Sequence, residues 1–298
     1  MARRIIDIHN HPNWHGHDVD ALVRNMDQHG IEKTWLLSWE ISREEFNAAP
    51  IYHECMDPRG LCAPLWMVVE GMHRHPARFI GGWAPDPRDR YVRAKLKSAV
   101  KIHGIKVYGE LKCRMRYDDP DAIAVYRYCG KIGMPVLFHL QDDVLPVKPF
   151  DESIQSWPEW YGGDIGVVDT MCRLCPDTNF IGHAPGFWRA ISGDSPRDPA
   201  GYPKGPVKPG GALIKLLRKH KNLHCDLSAG SGANALERDL RHARKFVLEF
   251  QDRIMFGRDY FDRRQFNVLE KLDLPERALD KVYCDNADRL IEKAGRGV

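Results

Sequence analysis

The stretch "RIIDIHNHPNWHGH" (4–17) places four of the chain's 14 histidines within nine positions. His9 and His11 end an apolar run. Two apart on a strand, their side chains share one face. His139 and His183 end two further apolar runs, "PVLFHL" and "NFIGHA", and Asp259 ends "IMFGRD". Three histidines and a carboxylate suit a divalent ion such as Zn²⁺. Such an ion lowers the pKa of bound water to about 7 and so makes hydroxide near neutral pH. An aspartate can both ligate and accept the water's proton. A histidine outside the ligand set can shuttle protons or polarise a substrate. Lys106, in "GIKVYG", adds a sixth ionisable side chain to the series.

These residues need a scaffold that brings distant segments to one place. Eight β-rich runs follow one another: 4–11, 33–39, 78–84, 104–109, 135–140, 179–184, 222–228 and 254–259. Helical patterns lie between them. "DVDALVRNMDQHG" and "DPDAIAVYRYCGKIG" each begin at a capping-type aspartate and end at a glycine. "PGGALIKLLRKHKN" and "ANALERDLRHARKFVLEFQD" are long and amphipathic. Eight strands alternating with helices over about 250 residues predict an α/β fold, a (β/α)8 TIM barrel. A doubly wound sheet is the rival, but no G-x-G-x-x-G follows a strand. In a barrel, residues that end strands gather on one face. No linker divides the chain, so residues 1–298 are expected to form one domain. Long βα loops at 40–59, 141–163 and 185–210 fall on the same face and are read as walls and a lid.

The composition narrows the function. Apolar residues make up 43%, enough for a large core, and 44 basic residues nearly balance 41 acidic ones. No basic stripe marks a nucleic-acid surface, and no apolar run reaches the roughly 20 residues of a membrane span. The first apolar stretch is too short for a signal-peptide core. A soluble, cytoplasmic protein that acts on a small molecule is expected, with homo-oligomerisation open. Cys172 and Cys175 form a C-x-x-C inside an apolar helical pattern with no second pair, and are read as packed thiols. The H-x-H at 73–75 lies in a helix-like stretch, where residues two apart diverge.

With "DIHNH", "GIKVYG", "PVLFH", "FIGHA", "IMFGRDY" and "YCDNADRLI" in order, the chain resembles the amidohydrolase superfamily. The resemblance is to the amidohydrolase-related branch, which holds hydrolases and non-oxidative decarboxylases. It implies that His9, His11, His139 and Asp259 bind the metal and that His183 acts on the substrate. Zn²⁺ is the expected ion, with Mn²⁺ the alternative, and one ion is favoured over two. In two-metal members a carbamylated strand-four lysine bridges the ions, with a second ion on strand-five and strand-six histidines. Lys106, His139 and His183 stand for that arrangement, or Lys106 is a free cation toward the substrate. His15 and His17 fall in the loop beyond the strand. Arg258 departs from the small residue the family commonly has there, and strand alternation turns it away from the Asp259 side into the wall, to bind a buried acid or pair in the barrel–helix layer. Arg258, Ser228 in "DLSAGSGANAL", and Trp157 are weaker candidates for substrate contact. The expected activity is metal-dependent hydrolysis of an ester, amide, lactone or related bond, with Asp259 as base and His183 polarising or protonating. Decarboxylation of a small or aromatic acid is the alternative. A non-catalytic metal-binding barrel is the reading from another class.

Overall fold

The computed structural model describes residues 3–40, 62–142, 160–195 and 201–298. The chain begins with β1 (Ile6–Asn10), α1 (Val19–Gln28), β2 (Lys33–Leu37), α2 (Leu65–Arg74), β3 (Phe79–Gly82), α3 (Val92–His103) and β4 (Tyr108–Leu111). It continues with α4 (Pro120–Lys131), β5 (Val136–His139), α5 (Gly166–Leu174), β6 (Phe180–His183), α6 (Pro185–Arg189), α7 (Ala212–Lys219) and β7 (Leu223–Asp226). It ends with α8 (Ala229–Glu237), α9 (Leu240–Phe250), β8 (Ile254–Met255), α10 (Arg264–Lys271), α11 (Glu276–Asp280), a π-turn (Lys281–Asp285) and α12 (Asn286–Ile291).

All strand pairs are parallel, in the orders β1-β2-β3 and β4-β5-β6-β7-β8. Two links join these arcs into a (β/α)8 barrel. Gly82 bridges to Val107 in parallel, and the Ile8 N–H donates to the Phe256 carbonyl across the β1–β8 seam at 3.0 Å. Strands buried on both faces read as apolar runs, and here the two faces have separate cores. Ile6, Ile8, Trp35, Leu37, Val107, Leu137, Ile181 and Met255 fill the barrel interior. Ala287, Leu290 and Ile291, from the last helix, pack onto the same cluster. Leu36, Tyr108, Phe138, Phe180 and Cys225 belong to the layer against the surrounding helices.

The helix starts follow their caps. Asp18 accepts from the Ala21 N–H at 2.8 Å, and Asp119 accepts from the Asp121 N–H ahead of Pro120. The pattern over 233–252 is not one helix. It breaks at Arg238, and Asp239 caps a second helix by accepting from His242. Cys172 and Cys175 are buried free thiols. His75 pairs with Asp20.

Strand four differs most from expectation. The run 104–109 was expected to be the strand, yet β4 begins at Tyr108 and reaches Leu111. Gly104 is the left-handed cap of α3, with φ 69, so the first part of the run only leads in. Val107 faces the barrel interior, and its neighbour Lys106 is solvent-exposed.

Candidate active site

The ends of five strands supply the polar cluster. β1 brings His9 and His11, β4 Glu110, β5 His139 and β6 His183. Asp259 follows β8 in the left-handed region at φ 57, with its N–H donating to the His9 carbonyl at 2.8 Å. That bond fixes the end of β8 against β1.

Four imidazole–carboxylate spacings define the centre. His9 Nε2 lies 3.7 Å, and His11 Nε2 3.5 Å, from Asp259 Oδ1. His11 Nε2 lies 3.6 Å from Glu110 Oε2, and His183 Nε2 3.7 Å from Glu110 Oε1. His139 approaches differently: its Nδ1 is 2.9 Å from Glu110 Oε1. Metal-compatible groupings within this cluster are His9, His11 and Glu110; His9, His183 and Asp259; and Glu110, His139 and His183.

The outer ring nitrogens fix the tautomers. A carbonyl or carboxylate oxygen can only accept, so a ring nitrogen facing one must carry the proton. His11 Nδ1 donates to the Leu37 carbonyl at 3.0 Å. His9 Nδ1 donates to Asp226 Oδ2 at 2.7 Å. Ser228 Oγ gives its single proton to Asp226 Oδ2 at 2.7 Å. It must therefore accept from His183 Nδ1, 2.8 Å away. In the neutral rings three Nε2 lone pairs then face inward, toward two carboxylates. His9 Nε2 and Asp259 Oδ1 are buried without hydrogen-bond partners. Lone pairs set against carboxylate oxygens repel unless a cation lies between them, and donors sharing an ion at ~2.0–2.2 Å stand roughly 3–3.6 Å apart. The residues fit a divalent ion.

Without an ion, protons compensate the carboxylates instead. Burial disfavours a charged His9, but Asp259 and Asp226 outweigh it and push the ring up to about 10. Burial lowers His11 to about 4 and holds His183 well below the usual histidine range. Burial lifts Asp259, the nearby Glu110 charge adds to this, and the carboxyl stands at about 7. Burial would raise Glu110 too, yet the His139 hydrogen bond and charge hold it well below the usual carboxylate range.

A cavity of about 340 Å³ opens over the cluster, within the range of small-ligand sites. Trp14, Trp39, Tyr202 and Tyr260 form aromatic walls, and Lys112 enters from the end of β4. His15, in the loop beyond β1, also lines it, in ring contact with Tyr260. His17 stacks on Phe261 at 4.1 Å.

The structure gathers His9, His11, His139, His183 and Asp259. Three expected residues do otherwise. Lys106 precedes β4, faces solvent and lies outside the cavity lining, so neither role considered for it fits; Glu110 and Lys112 are the β4 residues at the site. Arg258 borders the cavity, but its guanidinium turns away. Nε donates to Asp7 Oδ2 at 2.8 Å and Nη1 to Asn25 at 2.7 Å, so it is a structural tie and not a substrate contact. Ser228 is fully buried behind His183 and serves the hydrogen-bond chain, not the cavity. Trp157 lies outside the described residues. Arg189 pairs with Asp142 and does not line the cavity. Sequence reading missed Glu110, Lys112 and Asp226. An acid directly after "VYG" with a lysine two residues further on, and an aspartate ending "NLHCD", were the available signals.

A family model, Amidohydrolase, matches residues 6–292. The chain belongs to the amidohydrolase family. Among curated proteins none matches it in sequence. The solved structure of 5-carboxyvanillate decarboxylase from Sphingomonas paucimobilis is similar, with TM-score 0.60 and 15% identity over 98% of this chain and 99% of that one. A dihydroxybenzoic acid decarboxylase from Polaromonas, with bound manganese and the inhibitor 2-nitroresorcinol, has TM-score 0.55 and 16% identity over 98% and 97%. A candidate 2-pyrone-4,6-dicarboxylic acid hydrolase from Pseudomonas putida has TM-score 0.61 and 13% identity over 98% and 99%. At these identities the likeness concerns the fold.

Proposed function

We propose that the chain is a metal-dependent hydrolase of a small organic substrate with an ester, amide, lactone or related bond. One observation carries the reading: three inward Nε2 atoms and two carboxylates converge beneath a cavity, and His9 Nε2 and Asp259 Oδ1 there lack partners. A single divalent ion, Zn²⁺ or Mn²⁺, suits donors spaced this closely. Its ligands would come from His9, His11, His183, Glu110 and Asp259. In this revised set His139 orients Glu110 instead of binding the ion. When bound, the ion supplies an acidified water and polarises the scissile group.

The protein's own groups then handle position and protons. Asp226 holds His9, and through Ser228 it holds His183, with both Nε2 atoms aimed inward. His183 Nε2 carries no proton in this tautomer, so it binds or accepts and does not donate. Asp259, which borders the cavity, would accept the proton of the attacking water on the carboxylate oxygen that the ion leaves free and pass it to the leaving atom. The aromatic walls displace water from the substrate's apolar part. Decarboxylation is the second reading, favoured by the buried ammonium of Lys112 beside the site, which suits an acid.

Isotope labelling tests the choice. Metal-loaded protein incubated in ¹⁸O-water with a panel of esters, lactones and amides should place one label in the product. Chelation should abolish it, and metal should restore it. Carbon dioxide release from aromatic acids, with no label uptake from the panel, would replace hydrolysis with decarboxylation.

A further inference from the structure

Lys112 directly follows β4, and only 8% of its surface is exposed. Its Nζ lies 3.6 Å from the centre of the Trp39 ring and 5.1 Å from that of Tyr161. Trp39 in turn lies against His11, with ring centres 5.6 Å apart, and Tyr161 against His139 at 5.5 Å. The ammonium is thus held by two aromatic faces at the rim of the histidine cluster, and it lines the cavity. Ring faces attract a cation without accepting conventional hydrogen bonds from all three of its N–H groups. Among the described residues, no carboxylate lies within ion-pairing distance of Nζ.

Held by ring faces, the ammonium keeps N–H groups to spare where it borders the cavity. With an ion bound, the Glu110 and Asp259 charges would be matched, and among the described lining residues Lys112 would be the cation left facing the cavity. Arg264, also in the lining, is paired with Glu237.

We infer that Lys112 is the specificity-determining anchor for a carboxylate on the substrate, and that the substrate is a small, ring-bearing organic acid. This rests on the metal-dependent reading above. The carboxylate would sit on Nζ, and the ring between the aromatic walls, with the reacting group toward Asp259.

Calorimetry with two flat probes of nearly equal shape tests this. Benzoate carries the charge and benzamide does not. Metal content is measured first on every sample, so failure of the metal reading appears separately from failure of the anchor. Wild-type protein should bind benzoate in preference to benzamide. Lys112→Met should weaken benzoate by about 10- to 150-fold, as for a lost charge-assisted hydrogen bond, and leave benzamide and metal content unchanged. Lys112→Arg should keep most of the preference and guards against a folding defect in the Met variant. Equal binding of the two probes by the wild type, or no binding of either, overturns the assignment. Equal weakening of both probes in Lys112→Met, or loss of its metal, does so too.

Discussion

Asp226 touches no part of the cavity, yet two site histidines depend on it. Oδ2 takes the His9 Nδ1–H and the Ser228 hydroxyl, and Ser228 in turn takes the His183 Nδ1–H. Asp226→Asn would offer an N–H or a weaker acceptor there and scramble both tautomers. Metal affinity should fall about 10- to 100-fold, the usual cost of losing such an outer partner, read by competition with a chelating dye. Lys106→Met is the contrasting case. Lys106 is exposed and outside the cavity, so metal content and turnover should not change, and stability should stay within ~0.5 kcal/mol. A metal deficit in Lys106→Met would contradict the placement of β4. The five histidine and aspartate positions were readable because each ends an apolar run. Asp226 was not, because nothing local distinguishes an aspartate that orients a histidine from one that caps a turn.

Strands β1 and β8 show why element boundaries hide what element order reveals. The eight strands and their sequence were legible from apolar runs and capping aspartates. The register of β4 was not. Its pairing with β5 is irregular between Tyr108 and Leu111, and a period-two reading of "GIKVYGELK" cannot foresee such a shift. Arg258 belongs to the same scale. Its backbone N–H and Nε both bond Asp7, and both side chains are fully buried, so the pair ties β8 to β1 next to the candidate ligands His9 and Asp259. Arg258→Met would leave the Asp7 charge buried alone, and stability should drop by ~3–5 kcal/mol. Adding Asp7→Asn removes the orphan charge, so the double variant should recover part of the loss. Urea melts of the single and double variants check this. A single variant destabilised by no more than about 1 kcal/mol, the central cost of an ordinary point substitution, would mean that the pair contributes little.

At the scale of the whole molecule, protons and metal compete for one cluster. In the metal-free protein His9, at about 10, keeps its proton through neutral pH, and Asp259, at about 7, takes one up as the pH falls. An ion must displace those protons. Apparent metal affinity should therefore rise with pH between about pH 6 and pH 9, and rise more steeply below pH 7. A pH-independent affinity would mean that these two groups are not ligands. The metal also adds to thermal stability by mass action, by roughly 4 kcal/mol at a thousandfold excess over its dissociation constant, so chelation should lower the melting temperature reversibly. Composition and strand count made the barrel legible. The loops at 41–61 and 143–159 lie outside the described residues.

The Asp259 N–H reaches back to the His9 carbonyl at the seam where the barrel's first and last strands meet. The donors that flank this seam come from residues 9 and 11 at one end of the chain and 259 at the other, with Glu110 and His183 between. No fragment and no half-formed arc holds the set, so it exists only after the ring has closed. An ion that binds this late cannot steer the early search for the fold. It acts as a latch that must be released before the seam parts. Its effect falls on the rate of opening: the loaded protein outlasts the bare one under protease or heat, while both refold from denaturant at the same speed.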